Sequence, residues 1–231
     1  MRRLIGLVES ARHGTPEASG LVVTLNPEMV MLFRRDAGFR AALESAALLV
    51  PDGIGVVRGV RRRGAPGLRR VAGADLVAAY LPQAAKLGHR VALAGGGPGV
   101  ARRAADRLRR ENPGLQVVAA EGGAPDFDLA RRLEAARPDT VLAAFGHGRQ
   151  ELFINYYLRS IGAGAGIGVG GTLDYLAGTA RRAPQSVQSA GLEWAWRLAL
   201  QPWRLHRQLV LPQYWVLERA EAARSGRGGD S

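Results

Sequence analysis

Asp52 stands alone between Pro51 and Gly53, directly after the apolar run 47–50, with Gly55 two residues beyond Gly53. Proline ends a ladder and the glycines allow a tight turn, so this carboxylate is expected at the carboxyl end of a buried strand. In open α/β sheets that edge is where ligands bind. A second role is open to Asp52, that of capping the next helix or fixing the Pro-Asp-Gly turn. A different chemistry is suggested by Gly95, Gly96, Gly97 and Gly99, which follow another apolar run and open a helical pattern. Bare backbone N–H groups there would suit a phosphate or nucleotide. Position 100 is Val, so the G-x-G-x-x-G fingerprint is incomplete, and a glycine turn required only by helix-sheet packing fits as well. Glu121, at the end of the next strand-like run, occupies the place from which a carboxylate binds ribose hydroxyls; a nucleotide-sugar and a dinucleotide would both use such a pair.

Two further groups are weaker candidates. Asp126-Phe127-Asp128 matches a D-x-D metal pattern, yet it directly precedes a helical pattern whose first N–H groups carboxylates stabilise. His13, His89, His147 and His206 have no metal-ligand spacing, and only His147 falls at a strand end. No metal site is expected.

These groups need elements to position them. Strand-like runs recur at 20–24, 47–50, 90–94, 115–120, 140–145 and 166–169, and helical patterns lie at 27–35, 37–45, 74–87, 99–111 and 129–136. Short strands alternating with helices predict an α/β fold: a Rossmann-like parallel sheet of about six strands flanked by helices, within residues 1–190. Every predicted strand delivers glycine or polar residues to the same edge, and that convergence carries more weight than any single motif. The stretch 12–19 reads as a loop.

From Arg181 the character changes. All four tryptophans fall between Trp194 and Trp215, among Arg197, Arg204 and Arg207. Residues 191–231 therefore read as a basic, Trp-rich, helical appendage, in which the three arginines could share a face although Pro202 interrupts the pattern. Basic helices carrying Trp and Leu resemble interfacial membrane segments; a helical hairpin packed on the domain is the alternative, and burial against another copy in a homo-oligomer is a third. Residues 222–231 are short of apolar side chains and are expected to be disordered.

Composition excludes several classes. In 231 residues, 47% of them hydrophobic, there is no cysteine, so thiolate catalysis, thiolate metal sites and disulfides are ruled out. No apolar run is long enough to span a membrane, and the short stretch 4–8 followed by Glu9 is no secretory signal, which makes the cytoplasm the default. A net charge of +12 invites nucleic acid, but Lys86 is the only lysine and the arginines are spread along helical segments. Such a bias reflects composition more than a binding surface, and no nucleic-acid partner is expected.

The segments 24–28 (TLNPE), 50–57 (VPDGIGVV), 70–76 (RVAGADL) and 168–178 (GVGGTLDYLAG), followed by Arg182-Ala183-Pro184 and Gly191-Leu192-Glu193-Trp194, resemble in order the WecG/TagA/CpsF family, the family 26 glycosyltransferases of bacterial envelope polysaccharide and teichoic acid synthesis. The resemblance implies an enzyme that moves N-acetylmannosamine or a related hexose from a UDP donor to an undecaprenyl-diphosphate-linked sugar, with inversion and with no required metal or cofactor. By motif position it makes Asp52 the base, puts Thr24, Asn26, Arg70 and Gln150 in the pocket, and makes Arg197, Arg204 and Arg207 the arginines that close over the donor diphosphate at the inner face of the plasma membrane. That chemistry is coherent: inverting transfer needs one base for the acceptor hydroxyl and a cationic cluster for the departing diphosphate, a task suited to the planar fork of arginine. The chain departs from the family at His147-Gly148-Arg149-Gln150-Glu151, where Gly-x-Pro-Lys-Gln-Glu is common, and before Thr24, where it is shorter. The donor sugar stays open. So does a dinucleotide-dependent oxidoreductase built on 95–99 and Glu121, or a non-catalytic basic module.

Overall fold

Six apolar runs become strands β1 (Gly20–Leu25), β2 (Leu48–Pro51), β3 (Arg90–Gly95), β4 (Gln116–Glu121), β5 (Thr140–Ala144) and β6 (Ala165–Gly168). All pair in parallel in one sheet of order β2-β1-β6-β5-β3-β4. The computed structural model describes residues 1–14, 19–189, 192–200, 202, 205 and 209–227. Its helices are α1 (Arg2–Arg12), α2 (Pro27–Arg35), α3 (Ala37–Glu44), α4 (Ile54–Arg62), α5 (Gly73–Leu87), α6 (Val100–Glu111), α7 (Phe127–Ala136), α8 (Arg149–Ile161), α9 (Thr172–Leu176), α10 (Gln185–Ser189), α11 (Glu193–Leu200) and α12 (Leu211–Arg227).

Chain direction dictates which helices lie on which face. The steps β1 to β2, β4 to β5 and β5 to β6 run one way across the sheet, and β2 to β3 to β4 run the other. Right-handed crossovers then put α2, α3, α7 and α8 on one face and α5 and α6 on the opposite one. The two cores follow that division: Val22, Leu93, Leu142 and Ile167 pack with α1, α5 and α6, while Val23, Ala92, Val141 and Ala143 pack with α2, α3, α7 and α8. Alternation along the strands supplies both faces, as a doubly covered parallel sheet requires. Gly166 lets α8 lie close on β6, since a Cβ there would come within 2.3 Å of Ile154 Cγ2.

Three stretches differ from the sequence expectation. Residues 2–12, to which no element is assigned from the sequence, form a helix, because Leu4 and Val8, at helical spacing, are both fully buried. The loop expected over 12–19 begins only after Arg12, and 15–18 lie outside the described residues. Residues 222–227, expected to be disordered, continue α12; Ala222, Ala223 and Arg224 are good helix formers, and the helix runs on through Ser225 and Gly226 to Arg227. The C-terminal segment folds back onto the sheet domain: Tyr214 of α12 is buried against Gly55 of α4, and α12 is tied to the domain by Arg62–Glu218 (2.5 Å), Arg63–Glu221 and Arg35–Gln213. No helix among the described residues is long and apolar enough to cross a membrane.

Candidate active site

The parallel register sets Leu25 opposite Pro51, so the β1 and β2 strand ends release Asn26 and Asp52 side by side. The backbone N–H groups of Asp52 and Gly53 both reach Leu25 O, at 2.9 and 3.4 Å. The chain returns to this point 20 residues later, where Val71 N–H donates to Pro51 O at 3.0 Å. α5 opens there, and Gly73 N–H donates to Asp52 Oδ2 at 3.3 Å. Asp52 does act at a helix N-terminus, but that of α5, remote in sequence; the following helix α4 has Gly53 as its N-cap. Gly73 packs closely on Thr24, since a Cβ at Gly73 would lie 3.0 Å from Thr24 Oγ1. Thr24, Asp52 and the first turn of α5 thus form one cluster at the carboxyl edge, with Arg70 entering it from the segment that leads into α5. Asn26 joins by position, its Oδ1 capping α2 through Met29 N–H at 3.0 Å.

Gln150, expected in the pocket, is held in the interior at the strand ends. It is buried beneath the loops after β5 and β6, where its Oε1 accepts Gly170 N–H at 3.2 Å and its Nε2 donates to Glu151 Oε1 at 2.7 Å. Glu151, fully buried, accepts Gly148 N–H at 2.6 Å through its other oxygen. Burial pushes its carboxyl above the usual range, against the lowering effect of those hydrogen bonds. Together the two side chains brace one strand-end loop against the next. His147 also faces inward across the edge, its Nδ1 3.5 Å from Glu28 Oε2 in the first turn of α2.

The glycine loop lies on the other wing of the sheet. β1 and β3 are separated by β6 and β5, three strand spacings or roughly 14 Å. Gly95, Gly96 and Gly99 have positive φ (90°, 78° and 71°), and residues 96–99 are exposed at the start of α6. Glu121 ends β4 beside Ala94, yet its carboxylate holds Arg132 Nε of α7 at 2.9 Å. Asp126 is the N-cap of α7, accepting Leu129 N–H at 2.9 Å, which agrees with the capping alternative. Among the described residues no group of three or more His, Asp or Glu is placed to hold a metal ion.

An ion-pair cluster of two arginines and two carboxylates that sequence spacing did not single out lies at the start of α5. Arg182, in the loop between α9 and α10, donates from Nη1 to Asp75 Oδ1 of α5 at 2.5 Å. That hydrogen bond, with the charges of Arg182 and Arg70, holds the Asp75 carboxyl below its usual range. Glu193, the first residue of α11, lies 3.5 Å from Arg70 Nη2 and 3.6 Å from Arg182 Nε. The quoted motif letters contain all four residues; only the fold shows that they meet. Arg204, Arg207 and the side chain of Arg197 lie outside the described residues.

Residues 1–227 match the model of the glycosyl transferase WecG/TagA/CpsF family. Among similar proteins, the N-acetylglucosaminyldiphosphoundecaprenol N-acetyl-beta-D-mannosaminyltransferase of Bacillus spizizenii is 33% identical over 195 residues, covering 84% of this chain and 76% of that protein. The protein of the same name from Bacillus subtilis is 33% identical over 206 residues, covering 88% and 80%. A strand-end aspartate, an ion-pair cluster with two arginines at the start of α5 and a match across nearly the whole chain converge on one assignment: the chain belongs to the WecG/TagA/CpsF family of glycosyltransferases.

Proposed function

We propose that this chain transfers N-acetylmannosamine from its UDP donor to N-acetylglucosaminyl-diphospho-undecaprenol, with inversion and without a metal, while resting on the inner face of the plasma membrane. The observation that carries the reading is the Asp52 carboxylate, fixed at the sheet edge by Gly73 N–H beside Thr24, in a chain 33% identical to two enzymes named for that transfer. In this reading the acceptor hydroxyl loses its proton to Asp52 as its oxygen attacks the anomeric carbon from the face opposite the diphosphate. The bond from that carbon to the β-phosphate oxygen breaks, and UDP leaves with the electron pair. Arg70, and the arginines of the appendage, stabilise the charge that develops on the diphosphate. The nucleotide lies over Gly95–Gly99 and the sugar beside Asp52, an extended ligand spanning the sheet edge. Apolar residues of the appendage, among them the exposed Trp194, Leu200, Leu209 and Val216, support contact with lipid.

Asp52→Asn tests the base directly, since the amide oxygen can keep the Gly73 hydrogen bond. Transfer to a lipid-linked acceptor should fall by about 10²–10⁴, the usual contribution of a positioned base, while UDP in EDTA still raises the melting temperature. Transfer close to wild type would remove Asp52 from that role. UDP binding that disappears in EDTA would overturn the metal-free reading.

A further inference from the structure

One edge of the Arg182 guanidinium is only loosely engaged, by an ion pair with Glu193. Nη1 is committed to Asp75, while Nε and Nη2 are both shielded from solvent and have no hydrogen-bond partner among the described residues. Nε and Nη2 form the side-on fork with which arginine grips a carboxylate or phosphate through two parallel N–H bonds. What stands before that fork is Glu193, with Oε1 3.6 Å from Arg182 Nε and Oε2 3.5 Å from Arg70 Nη2. Charge-assisted N–H···O bonds close to about 2.7–2.9 Å, so the carboxylate rests between two guanidinium groups without filling the space between them. A wider anion with more oxygens, such as a phosphate group, would reach both. The position suits a reacting diphosphate: Asp75 lies two residues past Gly73, whose N–H holds Asp52, and Arg70 lies one residue before Val71, whose N–H holds the end of β2.

We infer that Arg70 and Arg182 form a diphosphate seat beside Asp52, and that Glu193 occupies this seat in the ligand-free enzyme and is displaced when the diphosphate binds. The inference rests on the glycosyltransferase reading for the nature of the ligand. It adds Arg182 as a binding group and makes Glu193 a competitor built into the chain. Because Glu193 begins α11, its displacement also frees the start of the appendage that carries Arg197 one helical turn later. Binding at the seat and movement of the appendage are then a single event. Donor and acceptor both contain a diphosphate, and the chemistry of the seat is common to the two.

Calorimetric titration of the full-length protein in EDTA with UDP, and separately with farnesyl diphosphate, separates these sources. Glu193→Gln preserves size and removes the competing charge, and affinity for the seated diphosphate should rise on the order of tenfold, the scale of one charge-assisted hydrogen bond. A gain with UDP assigns the seat to the donor; a gain with farnesyl diphosphate alone assigns it to the acceptor. Arg182→Lys keeps a cation beside Asp75 but loses the fork. It should weaken binding, leave the melting temperature near wild type, and cancel the gain when combined with Glu193→Gln. If the wild type binds UDP but Glu193→Gln leaves both affinities unchanged or lower, the seat is refuted and the transferase reading stands. If the wild type binds neither ligand, both fall.

Discussion

Gly168→Ala puts the Gln150–Glu151 brace to a quantitative test. Gly168 ends β6, pairs with Ala143 of β5, and lies outside the positive-φ region, so alanine meets no backbone strain there. Its methyl would, however, lie 2.4 Å from Glu151 Oε1 and 2.7 Å from Gln150 Nε2, the two atoms that hydrogen-bond each other at 2.7 Å. Neither side chain can simply swing away, because Glu151 also holds Gly148 N–H and Gln150 also holds Gly170 N–H, and both are buried. Overpacking costs about 1–3 kcal/mol, and a lost buried hydrogen bond to a charged group about 1.5–3 kcal/mol. With partial relaxation the sum is about 3 kcal/mol, or a melting temperature lower by about 6–12 °C in a chain of this size. Urea unfolding followed by circular dichroism measures it. Gly6→Ala, in the interior of α1 with nothing within 4 Å of the new Cβ, is the matched control and should gain about 0.5–1 kcal/mol. A Gly168→Ala loss below about 1 kcal/mol would show that the brace is not the rigid contact described.

Acid should loosen the protein through Asp75 and Glu9, both held below the ordinary carboxylate range, Asp75 chiefly by its hydrogen bond from Arg182 and Glu9 chiefly by that from His89. A depressed folded-state pKa gives stability that is present above the unfolded value, about 4, and is lost as pH falls through the folded value; the melting temperature of Asp75→Asn should therefore drop less steeply than that of the wild type between pH 5 and pH 3, both round values near that range. Steeper loss in the variant would refute the sign. At the alkaline end, burial raises Tyr80 and Tyr214 to about 12, a shift whose stability is present below about 10 and lost as pH rises through 12. Absorbance titration should show phenolate forming near 12, with smaller amplitude in Tyr214→Phe. Gly55→Leu drives a side chain into Tyr214, whose Cε1 lies 2.6 Å from the Cβ position, and should unseat α12; a tryptic digest of the C-terminal segment no faster than wild type would count against that packing.

The sheet was legible in the sequence because each strand is a short apolar run closed by glycine, proline or polar residues, and the boundaries agree within a residue or two. The strand order was not, since apolar runs carry no record of which neighbour they pair with. α8 escaped notice because it opens on Gly148 instead of a polar cap and contains the adjacent aromatics Tyr156 and Tyr157, which favour strands as readily as helices. α1 did carry a signal in Leu4, Leu7, Val8 and Ala11, spaced for one helix face, and reading only the short apolar stretch concealed it. Asp52 was visible as a strand-end carboxylate, but its partner Gly73 N–H comes from another element and belongs to tertiary structure. Gln150 was visible only through motif position, and that position said nothing of its burial.

The distance between the two wings gives the brace a functional consequence. Asp52 and Arg70 stand at the β2–β1 end and the glycine loop at β3, so a ligand touching both must cross the ends of β6 and β5. Gln150 and Glu151 lie beneath that crossing and fix Gly148 and Gly170 relative to each other. A loosened brace therefore changes the spacing between nucleotide and sugar subsites without touching either. In Gly168→Ala, the loss of transfer should exceed any loss of binding for UMP, because UMP lacks the β-phosphate that reaches Arg70 in the proposed pose and engages only the wing of the glycine loop. Equal losses for UMP binding and for transfer would mean that the brace supports stability alone, and would remove the extended pose from the proposed reaction.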